Sequence, residues 1–211
     1  MSEGKILAVD TCFGACSVAV VQDDRVLAGH FVKMERGHAE ALAPMVEAVM
    51  QDAGLSFADL DRLTVTTGPG TFTGQRVGLS FMRALRLALQ KPLIGVTSLA
   101  AMAAQARFES GCATAAAVHD AKRGEVYLEV SGGPPAQIMT MAEAADALRD
   151  HSDLALAGTG AAHFTRPGVH VLDITAPDAV WVARLAASAE PCGVPRPLYL
   201  RAPDAKLPVA R

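Results

Sequence analysis

The 211-residue sequence is short of aromatic residues and has no large excess of charge, and each shortage excludes a class of protein. Aromatic residues make up 5% of the chain against 51% hydrophobic residues, so the core must be mainly aliphatic. The net charge of −3 leaves too little basic surface to bind nucleic acid unaided. There is no run of about 18 apolar residues for a membrane span, and the opening MSEGKILAVD lacks the zones of a signal peptide. We therefore expect a cytoplasmic protein without a membrane segment.

Metal-binding and nucleophilic motifs are also missing. The four cysteines and six histidines include no CxxC pair and no cysteine–histidine cluster with zinc spacing. A paired-histidine motif on a helix would need a second histidine one turn after His38, where Leu42 stands. Neither HExxH nor GxSxG occurs. The sequence therefore predicts no metal site, no metallopeptidase site and no catalytic residue, and it favours buried thiols.

The order of the predicted elements defines an α/β fold. Three strands followed by alternating helices and strands indicate a mixed sheet flanked by helices, as in ribonuclease H. The second half approximately repeats the order of the first, without visible sequence repetition. We therefore expect two ribonuclease-H-like lobes, residues 1–97 and 98–211. In the first lobe, the hydrophobic pattern predicts strands over Lys5–Asp10, Cys16–Val21, Arg25–Val32, Leu63–Thr66 and Leu93–Val96, and helices over His38–Ala53 and Gly74–Gln90.

The stretch TVTTGPGTFTGQRVGL, residues 64–79, is a glycine-rich corner between a strand and a helix. A helix N-terminus exposes unpaired N–H groups and a partial positive charge, which suits an anion. Gly68 and Gly70 would let a ligand approach the backbone, and Thr71 and Thr73 would add hydroxyl groups. However, no lysine stands where a Walker loop requires one. The corner is therefore either an anion site or a tight turn.

Asp10 ends the first predicted strand in the sequence AVDT. An aspartate at this place can hold a metal ion or a phosphate-bound water in two-lobed nucleotide-dependent folds. The alternative is an aspartate that satisfies backbone amides in a turn, which this residue type does well. With no second acidic residue beside it, the turn role is favoured.

The two helices of the first lobe carry more apolar residues than one sheet can cover. An amphipathic helix on a sheet needs an apolar stripe somewhat wider than 100°, and the helix over Gly74–Gln90 is apolar over much more. Gly74 and Gly78 lie one turn apart, a spacing that lets a neighbouring helix come close. We interpret both helices as partner-binding, although burial within the chain is the simpler alternative. The candidate interface residues are Leu42, Met45, Val49, Gly74, Val77, Gly78, Phe81, Met82 and Leu85.

Several segments in a fixed order closely resemble the bacterial TsaB (YeaZ) family, which takes part in making threonylcarbamoyladenosine in transfer RNA. They are ILAVDT with ACSVAV, HAEALAPMV, GPGTFTGQRVGL, PLIGVTSLAAMA, DAKRGEVY and PLYLR. The resemblance covers most of the chain. It implies two ribonuclease-H-like lobes of the actin/Hsp70 (ASKHA) superfamily, in agreement with the predicted strand order.

The resemblance also implies a role. The family's catalytic sister carries a paired-histidine metal site on its first helix, and this chain has Leu42 in place of the second histidine. A non-catalytic scaffold and activator is therefore expected, which pairs with a TsaD-type catalytic subunit and recruits a TsaE-type ATPase. The resemblance further implies that the chain contacts transfer RNA only indirectly and can form a homodimer when alone. Any ATP or ADP is expected at a subunit interface of the complex. The alternative is a small-metabolite kinase or ATPase of the same superfamily.

Overall fold

The computed structural model describes residues 4–201. Residues 1–3 of the first predicted lobe and residues 202–211 of the second lie outside that range. The first part of the chain folds in the predicted order, with boundaries shifted by a few residues. Its elements are β1 (Lys5–Asp10), β2 (Ala15–Gln22), β3 (Arg25–Lys33), α1 (His38–Asp52), β4 (Arg62–Thr66), α2 (Phe72–Leu89) and β5 (Leu93–Val96). Those that follow are α3 (Ser98–Ser110), β6 (Thr114–Lys122), β7 (Glu125–Val130), β8 (Gln137–Thr140), α4 (Met141–Leu148), β9 (Leu154–Ala157), β10 (Val169–Val171) and α5 (Ala179–Ala187).

The strands form two five-stranded sheets of the same topology. The first has the order β3-β2-β1-β4-β5, and the second has the order β10-β9-β6-β7-β8. In each sheet, three consecutive strands pair antiparallel, and two later strands add in parallel beside the first of them. Helices cover both sheets, so the predicted α/β architecture of two ribonuclease-H-like lobes is confirmed.

The two faces of the first sheet are covered by different parts of the chain. Helices α1 and α2 pack on one face, where Leu7, Val9 and Leu63 form the core with Val46 and Leu79. The other face is covered by α5 together with the start of α3. Helix α5 comes from the second half of the sequence, yet it packs on the first sheet. The division into lobes between residues 97 and 98 stays a prediction. Helix α5 belongs to the second predicted lobe by sequence and packs on the first by contact.

Helix α5 is fixed to the first sheet by polar contacts at both ends. At its start, the Ala179 N–H donates to Ser17 Oγ over 2.9 Å. At its end, the Arg62 guanidinium donates to the Ala189 carbonyl over 3.0 Å, where a cation is favourable beside a helix C-terminus. Within residues 4–201, no helix is both long and apolar enough to cross a membrane.

Candidate interaction surface and the closed glycine corner

The glycine corner between β4 and α2 is filled by the turn between β1 and β2. The Thr71 N–H donates to the Cys12 carbonyl over 2.8 Å. The Thr11 hydroxyl donates to the Gly74 carbonyl over 2.7 Å and accepts from the Gly78 N–H over 3.0 Å. The backbone N–H groups of Thr71 and Gly78 are therefore already bonded to the chain itself.

The glycines of this corner make that close contact possible. A Cβ atom on Gly70 would lie 2.4 Å from the Cys12 carbonyl oxygen, and one on Gly74 would lie 2.0 Å from the Thr11 carbonyl oxygen. On Gly78 it would lie 2.7 Å from Thr11 Oγ1. Each distance is far below a van der Waals contact. The glycine spacing of α2 thus accommodates the β1–β2 turn, which corrects the interpretation of Gly74 and Gly78 as contacts to a partner helix.

The two threonines of the corner differ in what they do. The Thr71 hydroxyl accepts from the Gly74 N–H over 3.1 Å and so caps α2, whose first residue is Phe72. Thr73 is exposed in the first turn of the helix. Gly68 has a φ of +109°, a conformation that residues with a side chain rarely adopt. This geometry favours the tight turn over the anion site.

Asp10 is fully buried at the end of β1, behind the corner. Its Oδ1 accepts hydrogen bonds from the Thr66 hydroxyl over 2.5 Å and from the Cys12 N–H over 3.2 Å. Its Oδ2 is buried and has no hydrogen-bond partner among the residues that the structure describes. Burial raises the pKa of this carboxyl to about 7, against the opposing effect of the Thr66 hydrogen bond. Asp10 therefore bonds to backbone and hydroxyl groups of its own lobe, as the turn role requires.

The junction between the lobes is closed by an aromatic stack. Phe13, from the β1–β2 turn, lies on the His119 ring of β6 with 3.7 Å between the ring centroids and 19° between the planes. Burial lowers the pKa of His119 to about 4, and within residues 4–201 its Nδ1 has no hydrogen-bond partner. In open α/β sheets, ligands bind in the crevice beyond the carboxyl ends of the parallel strands. Here Thr11 and Phe13 occupy that place in the first lobe.

The predicted interface residues divide into a buried and a half-buried group. The side chains of Leu42, Val49 and Met82 have at most 1% of their surface exposed, and they belong to the core under α1 and α2. The prediction that these three residues contact a partner is therefore wrong, because α1 and α2 turn these side chains toward the sheet of their own chain. The α1–α2 ridge, which we define as the half-buried group, consists of Met45, Val77, Phe81 and Leu85.

The outer face of α2 beside this ridge is exposed and made of small residues. Ser80, Ala84 and Ala88 follow one another at helical spacing and are all exposed. Such short side chains leave the backbone of α2 accessible to another helix. Half-buried apolar residues next to exposed small ones form a surface that another protein can cover.

A second exposed feature lies on the opposite flank of α2, and the sequence did not reveal it. The Arg76 guanidinium stacks 3.5 Å from the centroid of the Phe72 ring, and its Nε donates to the Tyr199 hydroxyl over 2.9 Å. The segment around Tyr199 is held to the first sheet, because the Leu198 N–H donates to the Thr67 carbonyl over 2.8 Å. Only the fold brings residues so distant in sequence together.

The family comparison agrees with this architecture. A family model described as tRNA N6-adenosine threonylcarbamoyltransferase (TsaD) matches residues 32–177, well over half of the chain. The solved structure of YeaZ from Pseudomonas aeruginosa superimposes with a TM-score of 0.82 at 30% identity, covering 93% of this chain and all of that one. An activator of 2-hydroxyisocaproyl-CoA dehydratase from Clostridium difficile, at a TM-score of 0.51 and 10% identity, shares the fold alone.

Curated relatives match over different lengths. The TsaB protein of Escherichia coli is 41% identical over 123 residues, which cover 58% of this chain and 53% of the relative. That of Bacillus subtilis is 32% identical over 58% of this chain and 52% of its own length. The chain thus spans about half the length of these two relatives. An uncharacterized protein of Mycobacterium tuberculosis is 38% identical over 95% of this chain and 93% of its own length.

The two mixed sheets and the structural neighbours place the chain among two-lobed proteins of the ASKHA superfamily, as the family resemblance implied. Within that superfamily, the chain belongs to the TsaB (YeaZ) family, under the broader family model named for threonylcarbamoyltransferase.

Proposed function

We propose that this chain is a non-catalytic subunit of the machinery that makes threonylcarbamoyladenosine in transfer RNA. The relatives named TsaB carry this process in their names. The observation that supports the proposal most strongly is the filled crevice at the carboxyl ends of β1 and β4. There Thr11, Phe13 and the glycine corner bond and pack against one another. Because this crevice is filled by the chain itself, the proposed role depends on contacts between the surface of the chain and a partner protein.

The surface we propose for that role is the α1–α2 ridge, which pairs with a TsaD-type catalytic subunit and activates it. Its four side chains are apolar and only half covered by the chain itself. Because Ser80 and Ala84 lie exposed beside it, a helix of the partner can pack close to α2. Burial of the exposed apolar area gives the association its favourable free energy.

Further parts of this role rest on family membership. They are recruitment of a TsaE-type ATPase, indirect contact with transfer RNA, and homodimer formation through the same ridge when the chain is alone. The net charge of −3 favours an indirect contact, because phosphate binding needs basic residues. The proposed role is cytoplasmic, and any ATP or ADP would bind at a subunit interface of the complex.

The alternative of a small-metabolite kinase or ATPase is less well supported. Such an enzyme would use Asp10 and the glycine corner to hold phosphate groups. Asp10 is fully buried and bonded to Thr66, and the corner amide of Thr71 is bonded to Cys12. Calorimetry with ATP and Mg²⁺ on the isolated chain would reveal such an enzyme by tight binding with turnover.

The decisive experiment is a reconstitution with the TsaD-type subunit. Threonylcarbamoyl transfer is measured with and without this chain, and we expect it to depend on the chain. In Phe81→Glu, a charge on the α1–α2 ridge should abolish co-elution with the partner and reduce transfer to the level without the chain. The matched control is Phe108→Glu, the same substitution on α3, where the side chain is 71% exposed away from the ridge.

The outcomes separate the parts of the proposal. Transfer that proceeds equally well without the chain would refute the activator role. Transfer that depends on the chain but is unchanged by Phe81→Glu would refute only the α1–α2 ridge as its interface. Circular dichroism of both variants verifies that each remains folded.

A further inference from the structure

Three side chains with metal-binding atoms meet at one end of the second sheet, away from the α1–α2 ridge. Cys112 lies between α3 and β6, Asp153 directly precedes β9, and His170 lies in β10. Strands β6 and β10 both pair in parallel with β9, so the starts of all three lie at the same edge. The thiol, carboxylate and imidazole ligand atoms are all within 4.8 Å of one another.

The backbone already holds two of these residues in position. The Ala113 N–H donates to Asp153 Oδ2 over 2.8 Å, and the Cys112 N–H donates to Ser110 Oγ over 3.1 Å. Hydrogen bonding to the Ala113 N–H and the Cys112 thiol holds the pKa of the Asp153 carboxyl below its ordinary value. Groups that orient a ligand in this way are typical of metal sites, where they fix the direction of the ligand atom.

Access and geometry both suit a metal ion. Asp153 and His170 are exposed, whereas Cys112 is only 6% exposed, so an ion can enter from the solvent and reach the thiol last. Zinc bonds of about 2.3 Å to sulfur and about 2.0 Å to nitrogen place tetrahedral ligands about 3.6 Å apart. The two exposed side chains therefore need to move by only about 1 Å to satisfy that geometry.

We propose that Cys112, Asp153 and His170 form a zinc site with solvent in the fourth position. One sulfur, one nitrogen and one oxygen ligand are a set that Zn²⁺ accepts, whereas Mg²⁺ and Ca²⁺ prefer oxygen alone. On binding, the Cys112 thiol releases its proton to solvent and the thiolate bonds the ion. The three residues are too far apart in sequence to form a zinc motif, so the sequence predicted no metal site. This proposal is independent of the proposed function.

The test uses the full chain, stripped of metal with a chelator and then titrated with Zn²⁺ by calorimetry. We expect one Zn²⁺ per chain. In Cys112→Ser and in His170→Gln, the affinity should fall by about 10-fold or more. Titration with Co²⁺ gives a second readout, because a thiolate ligand produces a charge-transfer absorption band that Cys112→Ser should abolish.

Matched controls are available in the same chain. Cys192→Ser and His163→Gln change an exposed cysteine and an exposed histidine outside the cluster, and they should bind Zn²⁺ like the wild type. Absence of stoichiometric binding, or equal affinity in the cluster variants and the controls, would overturn the proposal. If Cys112→Ser does not fold by circular dichroism, His170→Gln decides the matter, because His170 is exposed.

Discussion

Each lobe has a glycine corner after a parallel strand, β4 in the first lobe and β9 in the second. The two corners are similar to each other, whereas the elements that follow them differ. In the first lobe, Gly74 packs against the Thr11 carbonyl. In the second lobe, a Cβ on Gly158 would lie 2.1 Å from the Val118 carbonyl oxygen, and the Gly160 N–H donates to that same oxygen over 3.0 Å. Both corners are therefore filled by their own lobe.

What differs is the helix that follows the corner. After β4 the chain forms the 18-residue helix α2, with half-buried apolar residues and an exposed face of small ones. After β9 it forms only a four-residue 3₁₀ turn, Ala161–Phe164. The topology that the two lobes share thus accounts for the two similar corners. The length and surface of α2 account for our proposal that only the first lobe carries the partner interface. Four experiments test this difference between the lobes.

The largest effect is expected for Met82→Glu, which tests whether α2 has a core side distinct from its surface side. Met82 is fully buried among Leu63, Leu79 and their neighbours. Losing the apolar side chain and burying a carboxylate should together cost at least about 5 kcal/mol, enough to unfold a protein of ordinary stability. Urea denaturation measures this cost. Phe81→Glu, one residue earlier on the ridge, should remain folded, and equal losses in both variants would disprove two distinct sides.

Alanine at the corner glycines should have the next largest effect. Gly74→Ala forces a Cβ against the Thr11 carbonyl, and Gly158→Ala adds the strain of a φ of +101° to a similar clash. We expect losses of about 3 kcal/mol for Gly74→Ala and somewhat more for Gly158→Ala. Thermal unfolding measures both. Gly14→Ala is the control, since no atom of the described part of the chain lies within 4 Å of its added Cβ. A stable Gly74→Ala protein would show that the first corner is not tightly filled.

The pH dependence of stability should have opposite signs in the two lobes. Asp10 has a pKa of about 7 in the folded chain against 3.8 ordinarily, so its contribution to stability is lost as the pH rises from about 4 to 7. His119 has a pKa of about 4 against 6.5, so its contribution is lost as the pH falls from 6.5 to 4. Between pH 4 and 6.5 the two contributions oppose each other.

Single variants separate these contributions. In Asp10→Asn, the free energy of unfolding should rise with pH between 4 and 6.5, by up to about 1.4 kcal/mol per pH unit. In His119→Phe, which keeps an aromatic ring for the stack with Phe13, it should instead fall with pH over the same range. Denaturant titrations at several pH values measure both slopes. Parallel slopes in the two variants would contradict the assignment.

The smallest effects concern the threonine in each corner. Thr71→Ala removes the N-cap of α2 and should cost about 1 kcal/mol. Thr159→Ala removes only the acceptor for the Asp120 N–H at an exposed site, so about 0.5 kcal/mol is expected. Differential scanning calorimetry resolves the pair, with Thr73→Ala as an exposed control. A larger loss for Thr159→Ala would reverse the order of importance of the two corners.

Much of the fold could be predicted from the sequence, because the spacing of apolar residues along a strand or helix indicates which of its residues are buried. The order of strands and helices along the first lobe follows from its apolar runs. The orientation of α2 could not be predicted in this way, because the helix is apolar around most of its circumference. Only tertiary packing decides that Met82 faces inward while Phe81 is half exposed.

The candidate sites were harder to predict for a related reason. Gly74 and Gly78 correctly indicated a close approach, but helical spacing does not say what approaches, and here it is the Thr11 segment. The cluster around Cys112 depends on the parallel pairing of β9 with both β6 and β10, which no local pattern reveals. Local sequence thus specifies the elements, and long-range pairing specifies the sites.

The return of α5 to the first sheet has a consequence for synthesis on the ribosome. The sheet face that carries Ile6, Ala8 and Ala19 is covered by residues 179–187, which are translated long after every strand of this sheet. The N-terminal lobe therefore cannot finish folding as soon as its own strands have emerged. Until α5 arrives, one apolar face of the nascent chain stays uncovered, and a chaperone that shields such faces has its binding window there.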